Sequence, residues 1–497
     1  MQGIFITRNS LLSLIHRLFK QFAIVLLVVS LLLGCVWVLT EAQAPAASLE
    51  VNFNVGASVT FATHAQLESY GFSWGPSDGA FGAIPAGGGT YTFYGTAHSN
   101  SGCAGTPNVT GTFTFTGTLD HVSGSNGCAR LFGPGDGPSG WLFDRDYAGG
   151  GQIVPFDLNG ESGWLMPFHA EYHWKNLANP PSFECQVGKT SSEVPCFYGG
   201  IGLALSTDGG KSFKVVGQIF QPNQPLSAFE GGGTNMDVGY GSLIVADANG
   251  RHVDNPTANP NGVYFYLFFS DRSPGLPGAC ANYSCMGIAR APYADVIVAA
   301  LSNDPNKVAT VFQKYDGASP NPWTQPATSD KPDLSTGAGK YAPLWSDDAP
   351  GEVSVIYDEY LNGYLAVYQS GGGIKVRTSS NLINWSQATG PVYSETDRWL
   401  YYPTLIGETG DPTVGGQMPR IYFTSFPTGG YPNYATSVFE SVQLKLSNQI
   451  SSATTTSLSM STLAPSSQYT SIVQLHVASI VKLPESMRVH FLVTIIN

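Results

Sequence analysis

Short apolar runs separated by turn residues dominate the chain between residues 351 and 386. The runs 353–357, 364–368 and 374–377 are rich in β-branched and aromatic side chains, and Asn-Gly and Gly-Gly-Gly breaks separate them. This pattern is typical of a meander of short antiparallel strands. One such sheet cannot bury both of its faces, so the pattern predicts further sheets of the same kind elsewhere in the chain.

Further runs of this type occur on both sides of the meander. Residues 202–213, 286–291 and 402–406 each combine a strand-like run with a turn, and the run 263–270 has aromatics at nearly every position, as expected of a strand buried on both faces. No long amphipathic helical period is found. The sequence therefore predicts an all-β architecture built from propeller-like blades, with function carried by loops.

The N-terminal residues 1–44 have the layout of a signal sequence or an N-terminal membrane anchor. Three basic residues precede the uncharged run 22–39. Cleavage after Ala42 or Ala44, a lipoprotein-type cut before Cys35, and retention as an uncleaved anchor all stay open. In each case we expect a secreted or extracytoplasmic protein, with membrane attachment through this segment in the anchored forms.

Two further regions flank the main body. Residues 45–130 predict a small β lead-in region with strands near 90–94 and 112–117; it would pack on the main body or supply a strand that closes it. Residues 448–497 resemble the first strands of a bacterial immunoglobulin-like repeat, and such a sandwich needs about 100 residues. We therefore expect a truncated Ig-like segment or a disordered tail there.

Charge and cysteine content narrow the environment and the partners. A formal net charge of −12 over 497 residues argues against nucleic acid as a partner, because phosphate binding needs a basic face. Six of the seven cysteines form three couples that are close in sequence, and none has the spacing of a zinc site. We expect disulfides 103–128, 185–196 and 280–285 in an exported protein.

The 351–386 meander, the Ser206–Phe213 turn and the Tyr402-Pro-Thr-Leu element together resemble the five-bladed β-propeller glycoside hydrolases, especially family 43 and the propeller endo-arabinanases. The Ser206–Phe213 turn also resembles the Asp-box of sialidases, which is structural there. The resemblance implies a five-bladed propeller over 131–447. It also implies a monomeric glycoside hydrolase acting on a plant or cell-wall polysaccharide, arabinan-like, or on oligosaccharides. No redox or nucleotide cofactor is expected, and oxygen-rich loops allow a structural Ca²⁺.

Glycoside hydrolysis needs a carboxylic acid that protonates the leaving oxygen and a carboxylate that activates water or attacks the sugar. The resemblance places the general base at Asp146, with Asp144 as its competitor. Glu171 lies among apolar and aromatic neighbours, which would raise its pKa and suit a proton donor. Asp237 follows a Gly-rich approach as a third, pKa-modulating carboxylate, with Glu230 as its rival.

Other side chains are candidates for holding the sugar. Aromatic rings would stack on its apolar faces, Arg398 and His169 would contact hydroxyl groups, and Asp271 beside Arg272 is equally explained as a salt-bridged strand end. No metal site is expected at His169 and His173, which lie four residues apart on a strand. The complete set of substrate-binding candidates is Asp144, His169, Trp174, Glu230, Tyr240, Asp271, Arg398 and Tyr402.

The chain departs from the family pattern at its start. A clear early Asp of the family-43 kind is not evident, and the 45–130 region is not part of that pattern. Two alternatives therefore remain: a non-catalytic carbohydrate-binding surface propeller, and a propeller lyase that would use His169, a tyrosine and Arg398. Convergence of two or three carboxylates in one axial pocket would favour the hydrolase.

Overall fold

Five antiparallel sheets follow one another along the chain. In the computed structural model, the described residues are 51–75, 78–173, 197–228, 236–273, 284–329, 331–345, 347–428 and 436–448. The predicted N-terminal segment 1–44 and the residues expected to be Ig-like lie outside them, apart from the end of the last strand.

The described chain begins with β1 (Val51–Val55), β2 (Val59–Ala62) and the short helix α1 (His64–Ser69). Thr63 caps the N-terminus of α1, since its side chain accepts a hydrogen bond from the Gln66 backbone at 3.2 Å. Two sheets follow. Sheet 1 contains β3 (Phe72–Trp74), β4 (Gly82–Gly87), β5 (Thr90–Ser99), β6 (Thr110–Gly117) and β7 (Val122–Ser125). Sheet 2 contains β8 (Tyr147–Gly149), β9 (Val154–Leu158), β10 (Glu161–His173), β11 (Phe197–Ser206) and β12 (Lys214–Phe220).

The next two sheets have the same plan. Sheet 3 contains β13 (Val238–Asp247), β14 (Val263–Asp271), β15 (Cys285–Pro292), β16 (Gln313–Tyr315) and β17 (Trp323–Pro326), with helices α2 (Tyr293–Leu301) and α3 (Pro305–Thr310) between β15 and β16. Sheet 4 contains β18 (Val353–Asp358), β19 (Gly363–Ser370) and β20 (Gly373–Ser379). These three strands confirm the meander. Its second turn uses Gly371 and Gly372 at φ 61° and 81°, as a tight hairpin turn requires.

Sheet 5 joins the two ends of the described chain. Its strands are β21 (Arg398–Ile406), β23 (Arg420–Pro427) and β24 (Val438–Asn448), while the short β22 (Val414–Gly415) pairs in parallel with β18. Strand β1 pairs antiparallel with β24, from Val51 opposite Asn448 to Val55 opposite Leu444. The first strand therefore completes the last sheet and closes the ring.

Apolar clusters fill the junctions between neighbouring sheets. Distinct clusters join sheet 1 to 2, sheet 2 to 3, sheet 3 to 4 and sheet 4 to 5. A further cluster joins sheet 5 back to sheet 1, with Phe61, Phe93 and Tyr422 among its members. Because each sheet buries both faces against its two neighbours, the arrangement is a five-bladed β-propeller, as the sequence predicts.

The expected domain boundary between residues 130 and 131 does not match the way the strands assemble into sheets. Sheet 1 lies within the region interpreted as a lead-in, yet it is one of the five sheets and contributes Ile84, Tyr94 and Phe93 to the cores on both of its sides. The same region supplies the closing strand β1. The propeller thus spans 51–448 rather than 131–447, since a sheet in this ring is stable only when both neighbours cover it.

The innermost strands meet through buried hydrogen bonds around the axis. Gln152, between β8 and β9, accepts a hydrogen bond from the Ser242 hydroxyl at 2.6 Å, and its amide donates to the carbonyl of Val355 at 3.0 Å. The backbone of Leu405 in β21 donates to the Ser354 hydroxyl at 3.0 Å. Sheets 2 to 5 are therefore tied together along the axis, and β13, β18 and β21 all begin at the same end of it.

The described residues include three of the six cysteines expected to form disulfides. Cys103 and Cys128 form the predicted disulfide. Cys285 is disulfide-bonded, while its expected partner Cys280 and the pair 185–196 lie outside the described residues. Among the residues that the structure describes, no helix has the length and apolarity needed to cross a bilayer.

Candidate active site

Ionisable side chains from four sheets gather at the end of the axis where the innermost strands begin. Asp78 precedes β4, Glu171 lies near the end of β10, Asp237 directly precedes β13, and Glu352 directly precedes β18. A continuous series of contacts through His169, Arg272, Tyr240 and Tyr402 joins these four carboxylates. We call this group the axial cluster.

Glu171 is clamped between two histidines of its own strand. Residues 169, 171 and 173 alternate along β10 and so share one face of the sheet. His169 Nε2 lies 3.1 Å from Glu171 Oε1, and His173 Nε2 lies 2.6 Å from Oε2. Both carboxylate oxygens of Glu171 are thus engaged within the strand.

Asp237 and Glu352 share one guanidinium group. Arg272 Nη2 lies 2.5 Å from Glu352 Oε1, and Arg272 Nη1 lies 3.7 Å from Asp237 Oδ2. The two carboxylates are only 5% and 4% exposed. Each still has one buried oxygen, Oδ1 of Asp237 and Oε2 of Glu352, that makes no hydrogen bond to any described residue. Buried polar atoms without a partner are rare, and at a site they indicate groups that a ligand would satisfy.

Two tyrosines in left-handed backbone conformation stand beside the carboxylates. Tyr240 and Tyr402 have φ of 57° and 56°, and each lies at a register shift of its inner strand, β13 or β21. Bulges of this kind turn a side chain toward a site. The Tyr240 ring stacks on His169 at 4.8 Å between centroids and lies 5.4 Å from the Tyr402 ring.

Asp78 enters the cluster through tyrosines. The Tyr402 hydroxyl donates to Asp78 Oδ1 at 3.1 Å, and the Tyr147 hydroxyl donates to the Asp78 carbonyl. Asp78 is half-buried, in contrast to Asp237 and Glu352. It is therefore the carboxylate of these three that solvent reaches most easily.

The electrostatics differ from the expectation for Glu171. Burial alone would raise the pKa of Glu171, but the hydrogen bonds from His169 and His173 outweigh it and lower that pKa to about 2. The expected rise in the pKa of Glu171 is therefore wrong, because its neighbours are two hydrogen-bonding imidazoles as well as apolar rings. Burial raises the pKa of Asp237 despite the opposing charges of His169 and Arg272.

The pKa of His169 also moves upward. Burial acts to lower it, but the hydrogen bond that His169 donates to Glu171 and the charges of Asp237, Glu171 and Asp78 together raise the pKa above its ordinary value. The axial cluster therefore stabilises the imidazolium form of His169 more than water does.

Asp146 and Asp144, the two candidates for the base, have structural contacts. Asp146 Oδ2 accepts a hydrogen bond from the His173 backbone at 2.8 Å, at the end of β10. Asp144 is 1% exposed and accepts from the Gly137 backbone at 2.6 Å, beneath the loop 133–137. Burial raises the pKa of Asp144 to about 6, against the opposing Gly137 hydrogen bond.

Asp271 and Arg398 contact other parts of the blades. Asp271 is buried, accepts from the Ser273 backbone at 2.8 Å, and has its pKa raised by burial against the charge of Lys314. Arg398 donates to the Ser425 carbonyl at 2.6 Å and pairs with Glu395 at 3.3 Å. The structure thus brings together His169, Glu171, Asp237, Tyr240 and Tyr402 from the predicted set. Trp174 and Glu230 lie outside the described residues.

Sequence reasoning missed Asp78, Glu352 and Arg272. Asp78 lies in the region interpreted as a lead-in, and Glu352 lies at the start of the 351–386 meander, immediately before its first apolar run. A positional signal was available for Asp237 and Glu352, because each is the residue directly before the innermost strand of its sheet. Arg272 was considered only as a salt-bridge partner of its neighbour Asp271.

A separate cavity of about 460 Å³ opens at the other end of the axis, where β9, β13 and β18 end. We call it the far-end cavity. Its lining includes Phe156, His252, Asp254, Tyr357, Glu359 and Asp411. Among the described residues, no group of three or more His, Cys, Asp or Glu side chains is arranged to hold a metal ion.

Comparisons with known proteins give structural resemblances alone. No family model matches the chain, and no curated protein sequence matches it. The catalytic domain of a GH62 alpha-L-arabinofuranosidase from Coprinopsis cinerea is similar in structure at 9% identity and a TM-score of 0.41, covering 80% of this chain and 97% of that one. A family 117 glycoside hydrolase, Zg3597 from Zobellia galactanivorans, is similar at 10% identity and a TM-score of 0.41, over 80% and 91%.

The alpha-L-arabinofuranosidase PaAbf62A from Podospora anserina is similar at 10% identity and a TM-score of 0.40, over 80% and 97% of the two chains. Sequence identities and TM-scores of this size assign no activity to the present chain. Its chemistry has to be inferred from its own residues.

Proposed function

We propose that this protein is a glycoside hydrolase whose axial cluster binds and cleaves a polysaccharide. The observation that carries the proposal is the sharing of Arg272 by Asp237 and Glu352, each with one buried oxygen that makes no hydrogen bond to a described residue. Carboxylates from two sheets, supported by a third at Asp78, supply the chemical groups that glycoside hydrolysis needs.

The roles follow from burial and contacts. Asp78 is the general base of the proposal, since it is the most accessible of the three and its Oδ1 accepts the Tyr402 hydroxyl. It would take a proton from the attacking water while the glycosidic carbon–oxygen bond breaks. The Asp237 and Glu352 pair would supply the proton that the leaving oxygen receives. The raised pKa of Asp237 supports this for one member of the pair.

The substrate proposed is an arabinan-like polysaccharide of plant material or cell walls. Its support is the resemblance of the blade motifs to the propeller endo-arabinanases, together with the two tyrosines whose rings lie beside the carboxylates and suit a sugar face. An exported, monomeric protein fits this role, with the N-terminal segment either removed or retained as an anchor.

The test is hydrolysis of arabinan, xylan, galactan and arabinogalactan by the purified chain and by Asp78→Asn, Asp237→Asn and Glu352→Gln. Removal of a general acid or base lowers kcat by about 10²–10⁴. An aryl arabinofuranoside with a good leaving group separates the roles, because its leaving group needs no proton. The variant lacking the acid keeps activity on it, and the variant lacking the base loses activity on both substrates.

Asp146→Asn and Glu171→Gln belong in the same series, since both remain candidates from the sequence. Asp254→Asn is the matched control: it removes one carboxylate at the far-end cavity, where Asp254 is 97% exposed. Binding of one polymer without release of sugar, by the wild-type chain, would contradict the hydrolase proposal and favour a carbohydrate-binding propeller.

A further inference from the structure

Both carboxylate oxygens of Glu171 contact histidines of its own strand. Its Oε1 faces His169 at 3.1 Å and its Oε2 faces His173 at 2.6 Å. A carboxylate held by two imidazole donors stays ionised. The charge of Glu171 therefore acts directly on His169 and His173.

His169 carries this effect to Asp237. The same Nε2 atom that contacts Glu171 lies 3.7 Å from Asp237 Oδ1. Arg272 lies on the other oxygen of Asp237, also at 3.7 Å. Asp237 is thus flanked by His169 from sheet 2 and by the guanidinium of Arg272 from sheet 3.

Two glycines permit the close approach of His169 to Asp237. A Cβ atom on Gly239 would lie 2.7 Å from His169 Nδ1, and one on Gly199 would lie 2.7 Å from Asp237 Oδ1. Real Cβ atoms do not approach other atoms so closely. The absence of side chains at 199 and 239 therefore makes room for this pair.

Acidic and basic side chains alternate along the whole series of contacts. It begins at His173, passes through Glu171, His169, Asp237 and Arg272, and ends at Glu352. Removing an internal member leaves two groups of the same kind facing each other across a buried gap, and any charge left there without its partner is costly in a medium of low dielectric.

We propose that Glu171 and His169 are positioning residues: Glu171 holds His169 as an imidazolium, and His169 fixes the carboxylate of Asp237 opposite Arg272. This rests on the proposed function, in which Asp237 faces the substrate. Glu171 then acts through His169 and transfers no proton to the sugar. The raised pKa of His169 and the lowered pKa of Glu171 agree with this assignment.

Several groups from other elements also face His169. Asp78 acts on it electrostatically, and Phe197 lies edge-on to its ring. The phenol rings of Tyr147 and Tyr240 lie at 5.8 Å and 4.8 Å between centroids. Of these neighbours, only Glu171 is within hydrogen-bonding distance of Nε2, so its removal should change the titration of His169 most.

The experiment is an NMR titration of the His169 imidazole in the full chain, assigned with His169→Gln. In the wild type it should titrate above about 6.5, the ordinary histidine value. Glu171→Gln should lower its midpoint by about one pH unit or more, and Asp237→Asn should lower it by less. If Glu171→Gln does not fold, the Asp237→Asn titration decides, since an unchanged midpoint there would show that His169 does not interact with Asp237.

Hydrolysis provides a second readout that a purely structural role would not change. Glu171→Gln should move the basic limb of the kcat/KM profile to lower pH and keep activity below it, whereas Asp237→Asn should lower kcat at every pH. An unaltered His169 midpoint in Glu171→Gln would overturn the proposal. So would loss of activity at every pH that an activated leaving group restores, because Glu171 would then be the proton donor.

The two proposals can fail separately. The titration needs no substrate, so it decides the positioning role even if none of the polymers is hydrolysed. Conversely, hydrolysis with an unchanged His169 midpoint would keep the proposed function and remove the positioning pair.

Discussion

A histidine lies flat against a tyrosine at each end of the propeller axis, yet the pKa of one imidazole is raised and that of the other is lowered. At the axial cluster, His169 stacks on Tyr240 with an interplanar angle of 16° and its pKa is raised. At the far-end cavity, His252 stacks on Tyr357 at 3.8 Å and 5°, and its pKa is lowered. Similar ring packing therefore does not determine the charge.

The difference lies in the burial of the neighbouring carboxylates. His252 has Asp254 at 3.3 Å, but Asp254 is 97% exposed, and burial of the ring outweighs the charges of Asp254, Asp411 and Glu359. His169 faces Glu171 and Asp237, which are 13% and 5% exposed. Water screens an exposed partner far more than a buried one, so the buried Glu171 and Asp237 overcome the desolvation of His169, whereas the exposed Asp254 does not overcome that of His252.

Among the substitutions that test this comparison, removal of Arg272 should have the largest effect on stability. Arg272→Met leaves Asp237 and Glu352 buried without their shared cation, and we expect the free energy of unfolding at neutral pH to fall by roughly 3 kcal/mol. Part of the lost stability should be recovered at acidic pH, where the carboxylates take up protons. The double variant with Glu352→Gln should recover part of it as well. Urea unfolding measures it.

The matched control for that substitution is Arg251→Met, an exposed arginine near the far-end cavity, expected to change stability by less than about 0.5 kcal/mol. Equal losses in the two variants would show that Arg272 is not the electrostatic centre of the axial cluster.

A single methyl group should test the packing of His169. Gly239→Ala places a Cβ 2.7 Å from His169 Nδ1, so either the ring or the backbone must move, at a cost of about 1–3 kcal/mol. Gly416→Ala, where a Cβ meets no atom within 4 Å, is the control. Denaturant unfolding with the His169 titration measures both, and equal stabilities would contradict the close approach.

The pH dependence of stability should have opposite sign at the two histidines. The raised pKa of His169 means that its contribution is fully present below the unfolded-state value and is lost as pH rises through the folded-state value. The lowered pKa of His252 means that the folded state disfavours its charged form, so His252 destabilises the protein as pH falls below the unfolded-state value.

His169→Gln and His252→Gln separate these contributions in unfolding measurements from about pH 5 to about pH 9. The deficit of His169→Gln should shrink as pH rises, and His252→Gln should gain on the wild type as pH falls. The same trend in both variants would mean that exposure of the partner carboxylates does not decide the difference.

The smallest effect is expected at Asp254. Because it is 97% exposed, Asp254→Asn should change stability by less than about 0.5 kcal/mol and move the His252 midpoint only slightly. A downward shift of the His252 midpoint as large as the one expected for His169 in Glu171→Gln would contradict the role assigned to burial.

Blade-level features could be predicted because they are local. The run 263–270 became a strand with eight buried residues out of nine in β14, and the 351–386 meander formed three adjacent strands as its turn residues indicated. The Cys103–Cys128 disulfide was likewise predictable from a short separation in sequence. Each depends on residues within one sheet.

The site was only half predictable, since its members come from distant parts of the chain. His169, Glu171, Asp237, Tyr240 and Tyr402 were identified from their immediate neighbours. The partners Asp78, Arg272 and Glu352 belong to three different sheets, and the pKa of Glu171 went opposite to expectation because two histidines on its strand turn toward it. Neighbours in sequence indicated apolar surroundings without showing which donors would reach the carboxylate.

By itself, then, the sequence determined the strands, their turns and the all-β class, because alternation and turn chemistry act over a few residues. Tertiary structure alone decided that β1 closes the ring on β24, that the supposed lead-in is a blade, and that Arg272 joins Asp237 to Glu352. Those features depend on which sheet edges and strand ends meet around the axis, and buried electrostatic interactions depend on distances of a few ångströms that no local pattern encodes.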